Sequence, residues 1–128
     1  MKVMLWNGRG ELLLIRNSYG HRDVWVLPGG GIGRRESPKE AAVREIREEL
    51  GIAIADLELV ASYKSSSEGK RDTVHLFTAT ALGSPAADSI EVEEARFFAR
   101  DALPNNVSPA TVRRIHEIRC EQPIDDRW

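Results

Sequence analysis

Residues Gly29 to Ile52 read GGGIGRRESPKEAAVREIREELGI, a glycine-rich loop that runs into one short helix crowded with carboxylates. Ser37 at N-cap, Pro38 at N1 and Glu40 at N3 spell a capping box with the preferred first-turn proline, which sets the helix start at Pro38. Gly51 after Leu50 ends it in a left-handed turn. Glu45, Glu48 and Glu49 stand at i, i+3 and i+4, so their side chains share about a third of the helix circumference. Like charges so placed repel by about 0.2 to 0.5 kcal/mol per pair. Their retention points to a cation, and with no cysteine or histidine in the stretch a hard, oxygen-preferring ion such as Mg²⁺ or Mn²⁺ fits best. Ala42, Val43, Ile46 and Leu50 form the adjacent apolar stripe, and Glu40 four residues before Arg44 is spaced for an ion pair.

The chain around this stretch is read as one domain over residues 1–128, long enough for a real core. A net charge of −2 and a pI near 5.9 give no sequence-wide attraction to nucleic acid or to an anionic membrane. An anionic substrate must therefore be attracted locally. The single cysteine, Cys120, excludes an intramolecular disulfide, no apolar run approaches a membrane span, and MKVMLWNGRGE is too short in apolar residues for a secretory signal. A cytoplasmic protein is the expectation.

Lys2 to Trp6, the turn Asn7-Gly8-Arg9-Gly10 and Glu11 to Arg16 predict a β-hairpin. Val24 to Leu27 reads as a strand stopped by Pro28, delivering the chain into Gly29, Gly30 and Gly31, where positive φ and close backbone approach are open. Leu57 to Tyr63 and Thr73 to Leu82 predict an antiparallel pair, Val92 to Phe98 a further strand, and Asp101 to Pro104 a single helical turn. Ser108 and Pro109 repeat the cap-and-proline start for a helix reaching about Arg119, with Val112, Ile115 and Ile118 on its apolar side; residues 121–128 are polar and expected to fray. The order ββ(β)αββ(β)α predicts a mixed sheet sandwiched between helices.

With its fixed positions marked, the stretch is Gly30, five residues, Glu36, seven residues, then Arg44-Glu45-Ile46-Arg47-Glu48-Glu49-Leu50-Gly51-Ile52. This resembles a complete Nudix box, G-x5-E-x7-R-E-U-x-E-E-x-G-U with U a bulky aliphatic residue. All nine fixed positions in the 23 residues are filled. The resemblance implies an α/β fold of the Nudix type, an α/β/α sandwich with a mixed β-sheet between helices. It implies that Glu45, Glu48 and Glu49 hold divalent metal, with a backbone carbonyl from Gly29 or Gly30, and that Glu36 and Arg44 orient them.

Such enzymes hydrolyse nucleoside diphosphates linked to another moiety. The expected activity is therefore a Mg²⁺- or Mn²⁺-dependent pyrophosphohydrolase acting on a nucleotide or another small molecule with a diphosphate. Glu48 or Glu49 is the favoured base, with Glu91, Glu93 and Glu94 as later candidates. Trp25 reads either as a core or edge tryptophan or as a wall of the nucleotide cleft. Arg22 and Arg71, like Tyr19 and Lys70, lie in loops within reach of substrate, although most loop cations are merely solvated. His75 reads as structural. The alternatives are a non-catalytic nucleotide-binding regulatory module, which usually loses box glutamates, and an RNA pyrophosphohydrolase, against which 6% aromatic content counts. Homodimerisation is common in the family.

Overall fold

The computed structural model describes residues 1–17, 23–65, 72–85, 92–118 and 128. Its elements run β1 (Lys2–Trp6), β2 (Leu12–Asn17), α1 (Pro38–Leu50), β3 (Ile54–Ser65), β4 (Asp72–Ala81), β5 (Val92–Phe98) and α2 (Pro109–Ile118). The strands form one mixed sheet in the order β3-β4-β1-β2-β5, with β1 and β4 parallel and the other pairs antiparallel. Alternation along the central strands assigns each sheet face. Val3, Leu5, Leu13 and Ile15 pack with Ala41, Ala42, Ile46 and Leu50 of α1. Met4, Leu12 and Leu14 pack with Ile115 of α2, Tyr63 and Leu76. Both faces are covered, so the sheet lies between helices as the element order predicts. Full burial of each large aliphatic side chain contributes about 1.5 to 3 kcal/mol.

The hairpin of β1 and β2 splays beyond its turn, and this splaying places the glycine loop. Only Trp6 and Leu12 are in register between the two strands. Further along, Val26 exchanges both backbone hydrogen bonds with Ile15 at 2.9 Å, the Val3 N–H donates to the Pro28 carbonyl at 2.9 Å, and the Gly30 N–H donates to Met1 O at 3.0 Å. Residues 26–30 thus fill the gap between the strands. The strand expected at Val24 to Leu27 is reduced to isolated bridges, because Trp25 turns its backbone the other way. The Trp25 N–H donates to Asn106 O at 2.7 Å, and Trp25 O accepts from the Ser108 N–H at 2.9 Å. With its partners divided between β2 and the approach to α2, the segment forms no continuous ladder.

Other expectations need correction. Val43 is 41% exposed and Ala41 takes its place in the core. Residues 101 and 102 form a turn and a bend and 103–104 are irregular, so there is no helical turn. On α2, Ile115 is buried as expected, but Val112 and Ile118 are only half-buried while Thr111, Arg114 and Glu117 are buried. Arg119, Cys120 and the polar segment 121–127 lie outside the described residues. No helix among the described residues is long and apolar enough to cross a membrane.

Candidate active site

The cap of α1 forms as its sequence specifies. Ser37 Oγ accepts the Glu40 N–H at 3.1 Å and Glu40 Oε1 accepts the Ser37 N–H at 3.1 Å. At the other end Gly51, at φ 68°, donates its N–H to Arg47 O at 2.9 Å. Because Glu40 is committed to the cap, Arg44 does not take it as the i+4 spacing suggests. Arg44 instead grips Glu36 with both arms of its fork, Nε to Oε2 at 2.6 Å and Nη2 to Oε1 at 2.8 Å. It also donates to Glu45 Oε1 at 2.9 Å, Glu48 Oε2 at 3.1 Å and the Gly31 carbonyl at 3.1 Å. One guanidinium therefore ties the glycine loop to two of the three clustered glutamates, using the planar geometry that lysine lacks. Glu36 accepts the Gly33 N–H as well, at 2.9 Å. Arg44 and the Gly33 amide together hold the Glu36 carboxyl at a pKa of about 2, and the same carboxylates raise that of Arg44.

The three glutamates differ in their surroundings. Glu49 is buried, Glu45 is 16% exposed at its side chain and Glu48 is 60% exposed. Glu45 lies directly against Gly30: a Cβ added there would stand 2.6 Å from the carboxyl carbon. Gly29 is as restricted, since a Cβ would come within 2.1 Å of Met1 O. Gly29 and Gly30 thus serve close approach, whereas a Cβ at Gly31 would meet nothing within 4 Å; among the described glycines positive φ falls at Gly10 and Gly51. Lys2 was not singled out by the sequence, in which a lysine opening a strand carries no special signal. Its ammonium donates to Leu27 O at 3.3 Å; burial lowers its pKa, offset in part by Glu49 and Glu45.

The donor set suits a hard divalent ion: three carboxylates and the Gly30 carbonyl, which accepts from the Met1 ammonium at 2.7 Å. Among the described residues no three acidic, histidine or cysteine side chains converge closely enough to hold one as they stand. Glu45 and Glu48 are instead both turned to Arg44 Nη1.

The remaining candidates lie apart from the cluster. Trp25 is 8% exposed and stacks edge-on to Phe98 at 5.0 Å, the core position of its two readings. Glu94 is held by Arg16 at 2.8 Å on the β2·β5 pair, and Glu93 is exposed on β5. His75 Nδ1 lies 2.8 Å from Ser62 Oγ across the β3·β4 pair. Tyr19, Arg22, Lys70, Arg71 and Glu91 lie outside the described residues.

A family model described as the NUDIX domain matches residues 1–117. The chain belongs to the Nudix family. It is 42% identical over 59 residues to an RNA pyrophosphohydrolase of Cellvibrio japonicus, covering 46% of this chain and 34% of that protein. It is 33% identical over 95 residues to the human diphosphoinositol polyphosphate phosphohydrolase 2, covering 73% of this chain and 52% of the relative. The chain therefore spans between a third and about half the length of these Nudix relatives. Among solved structures, the MutT NUDIX hydrolase of Burkholderia pseudomallei superposes with a TM-score of 0.73 at 28% identity, covering 96% of this chain and 98% of the other.

Proposed function

We propose that this Nudix chain is a divalent-metal-dependent pyrophosphohydrolase that cleaves a diphosphate joining a nucleoside or similar group to a second moiety. The observation that carries the reading is the five-bond clamp of Arg44, which brings the Glu36 loop, Glu45 and Glu48 together beside buried Glu49 and the Gly30 carbonyl. Glu45, Glu48, Glu49 and the Gly30 carbonyl would hold Mg²⁺ or Mn²⁺. When bound, the ion supplies neutralisation of the diphosphate oxygens and a lowered pKa for the attacking water.

The chain's own residues do the rest. Glu36 and Arg44 hold the glycine loop against α1, keeping the Gly30 carbonyl beside the glutamates that would turn from Arg44 to the ion. Glu48, the most exposed of the three, takes the proton of the water as its oxygen bonds to phosphorus and the bridging P–O bond breaks. Glu94 is less suited as a base because it lies on the β2·β5 pair, apart from the glutamate cluster. Arg22 and Arg71 are proposed substrate contacts. Trp25, buried at 8% exposure, offers substrate little surface. The relatives named for RNA and for diphosphoinositol polyphosphate share a diphosphate attached to a large, highly anionic group, which favours a substrate charged beyond the scissile bond.

A panel of nucleoside triphosphates, ADP-ribose, nucleotide sugars, dinucleoside polyphosphates, 5′-triphosphorylated RNA and diphosphoinositol phosphates, assayed with Mg²⁺ or Mn²⁺, tests the reading. Turnover of at least one compound is expected, and Glu48→Gln should lower it by about 100-fold or more. Equal turnover by wild type and variant would overturn the site. Tight binding of one compound without turnover would replace the enzyme with a binding module.

A further inference from the structure

Adjoining the glutamate cluster, a cleft of about 500 Å³ opens between α1 and the early part of β3. Its helical wall consists of two ridges at i, i+4 and i+8. Glu40, Arg44 and Glu48 form one; Lys39, Val43 and Arg47 form the other; Leu57 closes the opposite side. On the first ridge Glu40 accepts the Ser37 N–H and Arg44 bonds Glu48. Among the described residues the side chains of Lys39 and Arg47 make no hydrogen bond or ion pair. They stand about 12 Å apart along the helix axis, with Val43 uncovered between them.

The far wall is placed by a backbone irregularity. Asp56 has φ 54°, and the β3·β4 register shifts between Ala55 and Glu58, leaving Asp56 and Leu57 out of the ladder. Leu57 turns onto the core layer that contains α1. A bulge on a long edge strand discourages pairing with another strand and re-aims a side chain. Here it gives the cleft an apolar side opposite Val43 and leaves two uncommitted cations at its ends.

We infer that this cleft is a subsite for a phosphorylated ring in the portion of the substrate beyond the scissile diphosphate. The ring lies between Val43 and Leu57, and its phosphate is bound at one end by Arg47, beside Glu48, with Lys39 at the other end. The inference rests on the pyrophosphohydrolase reading, because Glu48 lines the cleft and belongs to the proposed metal site, so a group bound there lies alongside the diphosphate.

The test is methyl NMR of the full chain, metal-free with a chelator present, titrated with adenosine 5′-monophosphate, adenosine or inorganic phosphate. The nucleotide should move the Val43 and Leu57 methyl signals, and each half alone should bind more weakly. Lys39→Gln with Arg47→Gln should weaken the nucleotide by about tenfold or more, through loss of charge-assisted bonds. Both substitutions are on exposed helix positions, so the variant folds. Unmoved Val43 and Leu57 signals at saturation, or unchanged affinity in the double variant, would overturn the inference while hydrolysis of the diphosphate panel kept the enzyme reading. Moved signals in a chain that hydrolyses no diphosphate would overturn the subsite together with that reading.

Discussion

The two helices begin alike and use arginine in opposite ways. Each opens on Ser-Pro, and Ser108 Oγ accepts the Thr111 N–H at 3.3 Å as Ser37 Oγ accepts that of Glu40. On α1, Arg44 stays a third exposed and holds several oxygens at the surface. On α2, Arg114 is wholly buried, 4.0 Å from the Tyr63 ring centre and 5.2 Å from that of Trp128, with Nη2 at 3.2 Å from Glu117 Oε1. The Tyr63 hydroxyl donates to Glu117 Oε2 at 3.1 Å, and burial, with that bond, pushes the phenol's pKa up to about 12. An exposed arginine among carboxylates can give them up to an arriving cation at little cost. A buried one between aromatic rings cannot. The first arrangement is a site in waiting, the second a fixed part of the core.

The contrast breaks most visibly at α2. Glu117→Ala should destabilise the protein by about 3 to 5 kcal/mol in urea unfolding, because it removes a carboxylate paired with the buried Arg114 charge. Replacing both partners, Arg114→Met with Glu117→Leu, should restore wild-type stability or exceed it. A loss below about 1 kcal/mol in the single variant would show that the pair is no more locked than one at the surface. At α1 the larger effect should be on metal rather than on folding. Arg44→Lys keeps the charge but loses the fork that grips Glu36, so Mn²⁺ affinity, followed by calorimetry, should fall about 10- to 100-fold. Unchanged affinity would mean that Arg44 does not orient the glutamates.

The same contrast explains what the sequence disclosed. The bounds of α1 and the grouping of its glutamates depend on neighbours within four residues, so Ser37, Pro38, Glu40 and Gly51 announce them directly. The antiparallel pairing of β3 and β4 and the mixed sheet were legible from apolar runs and element order. The burial of Arg114 was not, since α2 alone reads with its charges outward, and the rings that make an interior place for the guanidinium, Tyr63 and Trp128, lie 51 positions earlier and 14 later. Val24 to Leu27 failed as a strand for a related reason: its composition is right, but its backbone partners lie on two different elements. Val43 has the same cause. Its spacing fits the apolar stripe, yet the bulge at Asp56 makes it one wall of an open cleft.

The smallest effect expected is a titration, and it addresses the exposed side of the comparison. The ordinary value for Glu36 is 4.5 and its folded value is about 2, lowered first by Arg44 and then by the Gly33 amide. A depressed carboxyl contributes stability that is fully present above the unfolded value and is lost as pH falls through the folded one. The Arg44 clamp should therefore hold the loop throughout neutral and mildly acidic conditions and release it progressively between about pH 4.5 and 2. Carboxyl NMR should find Glu36 titrating near the lower limit in wild type and well above it in Arg44→Gln. If Glu36 titrates near 4.5 in both, the charge on Arg44 is not organising the loop. The clamp would then be a geometric contact, and the difference between the two helices would lie in burial alone.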